Sequence, residues 1–262
     1  MIINLNNFFN TFLMNSFVEI PNHIIRDIIK NNDYTKINYN IPKNYNLVLT
    51  GSVGVGKSTL SQLVYECFKM NNITNVKIYP EYIQYKYNND SIGDDILNLR
   101  KNGIIDTETF QHFILDIWDF QLKTNEFNKN DSINILERLP DDAIFCFSKE
   151  AYEQNVISKE SYFNLCIKYK KIIDTYNVPT IKDCKIKVIN NDNLNNTLNE
   201  ILNVIRYDFE NGITNRIIGL KTDEKKYIQR IKQRGRISEI ETDIEIFKHY
   251  NKFYDEMYKD SI

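Results

Sequence analysis

The chain has 262 residues, of which 42% are apolar and 26% charged, and a formal net charge of −2. That balance suits one soluble globular domain with additions, and it excludes the overall basic field that would hold nucleic acid. Met1 to Phe17 alternates apolar residues with asparagines and has no positive n-region, so it reads neither as a signal peptide nor as a membrane span. Cys67, Cys146, Cys166 and Cys184 are widely spaced, without a CxxC pair or nearby histidines. They read as reduced thiols of an intracellular, cytoplasmic protein.

Residues 1–44 form an N-terminal extension ahead of the first core strand, with helical spacing at Ile24, Ile25, Ile28 and Ile29. Residues 45–262 form the main domain. The apolar run Leu47-Val48-Leu49 leads into Gly51-Ser52-Val53-Gly54-Val55-Gly56-Lys57-Ser58-Thr59, and Leu60, Leu63, Val64, Cys67 and Phe68 then repeat at helical spacing. Strand, glycine turn and helix are the context that a phosphate-binding P-loop requires. Glycines let successive N–H groups turn inward around a phosphate at the helix N-terminus. In that motif Lys57 reaches the β- and γ-phosphates and Ser58 offers its hydroxyl to Mg²⁺.

Val76 to Tyr79 reads as a second strand that ends at Pro80-Glu81, and a polar segment from Asn88 to Asp94 follows. Thr107 and Glu108 open a long helix through Phe110, Phe113, Ile114, Ile117 and Leu122. Ser132 to Leu136 is a third strand with Glu137-Arg138 at its carboxyl end. The pattern is helical from Ser148 to Tyr176, with a break near Asn155. Lys185 to Ile189 alternates like a half-buried strand, and Leu194 to Phe209 reads as a helix. Arg216 to Leu220 is a further strand, followed by a basic helix and a last helix from about Ile240 to Tyr258.

Strands alternating with helices predict an α/β fold with a central parallel sheet flanked by helices. Ligands of such sheets bind beyond the carboxyl ends of the strands, where the P-loop, Glu81 and Glu137-Arg138 all fall. Phosphoryl transfer needs a positioned acceptor, countercharge and a carboxylate near the attacking hydroxyl. Glu81 and the Glu137-Arg138 pair suit those needs. Arg230, Arg234 and Arg236 concentrate guanidinium groups beside Gly235, a pattern that suits an Arg-rich lid over phosphates.

In this order the segments resemble the deoxynucleoside kinase family: the phosphate loop, Pro80-Glu81, Phe110-Gln111, Glu137-Arg138 and the Arg-x-x-x-Arg-Gly-Arg run from Arg230 to Arg236. The resemblance covers most of residues 46–258. It implies a P-loop kinase that uses ATP and Mg²⁺ to phosphorylate the 5′-hydroxyl of a small-molecule deoxynucleoside, in nucleotide salvage and DNA precursor synthesis. By that resemblance Glu81 is the base, Glu137 helps hold Mg²⁺, Arg138 binds the reacting phosphoryl group or the substrate 5′ oxygen, and Arg230, Arg234 and Arg236 clamp the donor phosphates. Gln111 would bind the nucleobase edge, with Tyr82, Tyr85, Phe110, Phe113 and Trp118 as candidates for a stacking wall. The family also builds homodimers.

Leu139 stands where the family usually has Ser, and Trp118 and Asp119 stand where it has an Arg after Gln111. Asp141 or Asp142 would supply the acidic residue that joins base recognition. Residues 180–215 read as an insertion or a relocated edge strand plus helix, with Lys185 to Ile189 filling a sheet-edge position from an earlier place in the chain. Two other readings stand beside the nucleoside kinase: a deoxynucleoside monophosphate kinase, and a non-catalytic nucleotide-binding regulatory protein.

Overall fold

The computed structural model describes residues 43–84, 86–87, 90–129, 131–235 and 244–259. The helix expected around Ile24 to Ile29, Tyr85, Arg236 and the expected start of the last helix at Ile240 lie outside the described residues. Strand β1 (Tyr45–Thr50) leads into α1 (Lys57–Met70), β2 (Val76–Tyr79) and a 3₁₀ turn (Tyr82–Gln84). A short antiparallel pair follows, β3 (Lys86–Tyr87) with β4 (Asp90–Ser91), then α2 (Ile92–Lys101), α3 (Thr107–Thr124) and β5 (Ile133–Glu137). A π-helical stretch (Asp142–Ser148) runs into α4 (Lys149–Glu153). The chain continues as α5 (Lys159–Tyr176), β6 (Ile186–Asn190), α6 (Leu194–Glu210), β7 (Asn215–Lys221), α7 (Glu224–Arg234) and α8 (Ile244–Lys259).

Five of these strands pair in parallel in the order β2-β5-β1-β7-β6. Every residue of β1 and β5 is buried, so both central strands read as continuous runs rather than alternating ones. The edge strand β6 is mostly exposed, with Ile189 its one buried residue. It pairs with the outer side of β7, so Ile186 to Asn190 does lie at the sheet edge although it precedes β7 in the chain. One face of the sheet carries the core built with α1 and α6, and the other the core built with α3 and α5.

Polar side chains fix the register. Asn134 on β5 donates to Asn46 on β1 at 2.8 Å, and Asn46 donates to Asn215 on β7 at 2.8 Å, so three adjacent strands are joined near their amino ends. The helices begin where the sequence offers a capping oxygen. Asp106 accepts from the Thr109 N–H at 2.7 Å, and Ser158, Asn193 and Asp223 cap α5, α6 and α7 in the same way.

Two segments differ from the sequence reading. The polar stretch from Asn88 contains β4 and the beginning of α2, because alternating polar residues at a tight hairpin hide its short pairing. The helix expected from Ser148 begins before Asp142, where the acidic pair beside Pro140 suggests a turn. Pro there is compatible with a first helical turn, since that position needs no N–H donor.

At the far end of the sheet from the phosphate loop, Asp208 of α6 is fully buried. It accepts from the Tyr45 hydroxyl at 2.8 Å and pairs with both Nε and Nη2 of Arg216. Removing one partner of a buried ion pair leaves the other charge uncompensated. Asp208→Ala is therefore expected to lower unfolding free energy by about 3–5 kcal/mol in denaturant titration, with loss below about 1 kcal/mol contradicting this account.

Candidate active site

The loop after β1 owes its shape to how closely other segments approach it. A Cβ on Gly51 would lie 2.5 Å from the Leu220 carbonyl oxygen, and one on Gly56 would lie 2.5 Å from the Asn191 amide nitrogen. Both glycines also have positive φ, 138° and 95°. Gly56 precedes α1 without any side-chain cap, leaving the first N–H groups of the helix for an anion. From the other side, Asn191 donates to the Val55 carbonyl at 2.7 Å, an anchoring role that no motif signals because Asn191 lies far along the chain.

Lys57 is buried with its Nζ on the Gly51 and Ser52 carbonyls at 3.0 and 2.9 Å, and it reaches Glu81 Oε1 at 2.9 Å. The same Glu81 oxygen accepts from Arg138 Nε at 2.7 Å. Burial, reinforced by the Arg138 charge, brings the Lys57 ammonium down to about 8 despite the nearby Glu81. Burial also opposes the charge of Arg138, but Glu81 and Asp142 outweigh it and raise its pKa. Arg138 follows β5 with φ of 73°, a conformation that costs a residue other than Gly on the order of 1–3 kcal/mol. Its N–H still bonds the Leu49 carbonyl at 2.9 Å, so the unusual turn redirects only the side chain. Phe147 and Tyr254 flank the guanidinium at 5.1 and 5.6 Å from their ring centres.

Ser58 and Glu137 also meet. The Ser58 hydroxyl donates to Glu137 Oε2 at 2.7 Å, and the Gln84 amide donates to both, at 2.9 and 2.5 Å. Gln84 is a site residue that the sequence does not mark; only the 3₁₀ turn after Glu81 folds it back. Burial, with Glu81 nearby, pushes the Glu137 carboxyl up to about 7. One hydroxyl and one carboxylate beside a phosphate loop fit Mg²⁺, which takes hard oxygen donors, keeps several waters and relies on phosphate oxygens for the rest.

Glu81, Glu137 and Arg138 border a cavity of about 570 Å³. Tyr82, Phe110, Gln111 and Trp118 line it, whereas Phe113 does not. Tyr82 and Phe110 pack edge to face at 5.6 Å. Gln111 is buried, and its Oε1 has no hydrogen-bond partner among the described residues. Glu150 lines the same cavity from α4, and burial raises its carboxyl.

The two aspartates expected near the nucleobase have other positions. Asp141 lies off the cavity, fully buried, and accepts from the Ile181 N–H at 3.2 Å. Asp142 borders the cavity, but Thr50, Tyr254 and the Leu139 N–H occupy its oxygens. Helix geometry separates them, since consecutive helical residues do not share a face.

Of the basic run, Arg230 lies on the phosphate loop. Its guanidinium donates to the Gly54 and Val55 carbonyls at 3.4 and 3.3 Å and to Asn191 O at 3.0 Å. Arg234 stands in the last turn of α7, which Gly235 ends with φ of 69°.

No protein-family model matches the sequence, and no curated protein matches it significantly. Solved structures do. The deoxyadenosine kinase from M. mycoides with bound dATP matches at 22% identity and a TM-score of 0.51, over 82% of this chain and 84% of that one. The same enzyme with bound dCTP matches at 21% and 0.49, over 82% and 83%. The fold is that of a deoxynucleoside kinase. The central parallel sheet flanked by helices is the one the sequence predicts.

The raised Glu137 carboxyl has a consequence for stability. A folded-state pKa above the unfolded value contributes stability that is complete below the unfolded value and lost as pH rises through the folded one. The wild type should therefore lose stability relative to Glu137→Gln between about pH 4.5 and pH 7, by up to roughly 3 kcal/mol. A pH-independent difference in paired denaturant titrations of the ligand-free proteins would contradict the raised pKa.

Proposed function

We propose that this protein is a deoxynucleoside kinase that transfers the γ-phosphoryl group of ATP to a nucleoside 5′-hydroxyl. The observation that carries this reading is the placement of Glu81: it bonds Lys57 of the phosphate loop and Arg138 just after β5 while bordering the aromatic cavity. A carboxylate so placed can take the hydroxyl proton while Lys57 and Arg138 offset the charge that develops on the phosphoryl oxygens. Gln111 offers an amide to the nucleobase edge, donating and accepting together, and Tyr82, Phe110 and Trp118 supply flat apolar walls.

Ser58 and Glu137 would hold Mg²⁺, which when bound supplies charge neutralisation on the donor phosphates. Arg230 already lies on the loop that would receive those phosphates, and Arg234 and Arg236 follow it toward the same role. A monophosphate acceptor is the second reading, favoured by Arg100 and Lys101 at the cavity wall. An acceptor phosphate needs cationic partners of that kind.

The deciding experiment measures ADP release from Mg-ATP with the four deoxynucleosides and the four deoxynucleoside monophosphates as separate acceptors. Turnover with a nucleoside supports the proposal, whereas turnover with monophosphates alone moves the chain to the second reading. Glu81→Gln should lower kcat by about 10²- to 10⁴-fold with a smaller effect on KM, and equal loss in both would make Glu81 a positioning group. Lys57→Ala should abolish transfer and weaken ATP binding in calorimetry. Near-normal turnover of that variant would refute the assignment.

A further inference from the structure

Asp142 does not serve the nucleobase as the sequence suggested, and with Tyr254 it stands beside Nη1 of the Arg138 guanidinium. Asp142 is fully enclosed. Its Oδ1 accepts from Thr50 Oγ1 at 2.7 Å and from the Tyr254 hydroxyl at 2.6 Å, and its Oδ2 accepts from the Leu139 N–H at 2.7 Å. Thr50 ends β1, Leu139 follows Arg138, and Tyr254 belongs to α8. One carboxylate therefore ties the strand before the phosphate loop, the turn after β5 and the last helix together.

Arg138 uses that assembly as a support. Nη1 lies 3.6 Å from Asp142 Oδ1 and donates to the Tyr254 hydroxyl, while Nε faces Glu81 at 2.7 Å. The planar fork is thus held along one edge and bonded to the reaction-side carboxylate along another. We propose that Asp142 and Tyr254 are positioning residues that fix the Arg138 guanidinium for phosphoryl transfer, making α8 part of the active site. This rests on the kinase reading above.

The seating of α8 supports it independently. The Tyr258 ring covers Gly219 of β7 so closely that an added Cβ would lie 2.7 Å from it. Cys146, Phe253, Tyr254 and Tyr258 form one buried apolar cluster, so the helix is anchored beside the strand ends rather than on the outer surface. If packing were its whole contribution, the Tyr254 ring would suffice and the hydroxyl would be dispensable.

Tyr254→Phe makes that distinction, because it keeps the ring and removes the hydroxyl. In full-length protein it is expected to lower kcat about tenfold, as for loss of one hydrogen bond to a charged group. KM for ATP and for the nucleoside should stay within about twofold, and the melting temperature should fall by no more than several degrees, as for one buried hydrogen bond left unmade. Asp142→Asn should produce a similar kcat loss, and the double variant should be no worse than the poorer single one, since both act through one guanidinium. Wild-type kcat in Tyr254→Phe, or losses that multiply in the double variant, would overturn the proposal.

A second readout separates this inference from the kinase reading. The Arg138 Nε–H signal in ¹⁵N spectra, identified by its disappearance in Arg138→Lys, should exchange slowly in wild type and be lost to exchange in Tyr254→Phe. That result supports the positioning role even if no nucleoside is phosphorylated by the wild type, and an unchanged signal overturns it.

Discussion

One carboxylate oxygen organises this molecule's active edge. Glu81 Oε1 accepts from Arg138 and pairs with Lys57, and each of those cations is buried. A buried cation without a partner is costly, so the three groups are mutually dependent. The two cations exceed that one carboxylate by a single positive charge, and the shared Glu81 oxygen, with Asp142 beside Arg138, is what permits them to stand close together. The pKa shifts carry the same message: Lys57 is brought down chiefly by burial and then by Arg138, while Glu137, one residue before Arg138, is pushed up by burial and by Glu81. An anion placed beside Lys57 and Arg138 would favour their charged forms.

The sheet places these groups, and the helices behind it hold them. β1, β2 and β5 deliver the phosphate loop, Glu81 and Glu137-Arg138 to one edge because parallel strands share a direction. The asparagines at the opposite edge pin the register, and a one-residue slip in either central strand would exchange inward and outward side chains. Arg138 pays a backbone cost at φ of 73°, and the surrounding contacts, from the Leu49 carbonyl to Phe147 and Tyr254, over-determine that conformation.

The cavity extends the argument from charge to shape. Its aromatic walls come from the 3₁₀ turn after β2, from α3, from the π-helical stretch and from α8, and its carboxylates from the turn after β2, the end of β5, the π-helical stretch and α4. Three residues at this one short turn therefore serve three purposes: Glu81 faces the cations, Tyr82 forms a wall, and Gln84 bonds Ser58 and Glu137. Movement of this turn would be felt at all three places.

The sequence by itself determined the phosphate loop, the alternating strands and helices, and the strand-end positions of Glu81, Glu137 and Arg138. Each depends on short-range pattern: glycines before Lys-Ser, buried runs, and polar residues where a strand stops. It also marked Lys185 to Ile189 as a strand by its alternating apolar residues, although at the sheet edge only Ile189 is buried. Only the tertiary structure decided which side chains meet. The π-helical start before Ser148 sends Asp141 and Asp142 to different surroundings, a separation of adjacent residues that composition cannot express. Gln84, Asn191 and Tyr254 reach the site from a turn, a sheet-edge loop and the last helix, and ordinary residue types at ordinary spacing gave no signal. Long-range contact, set by how the sheet closes on its helices, made them part of it.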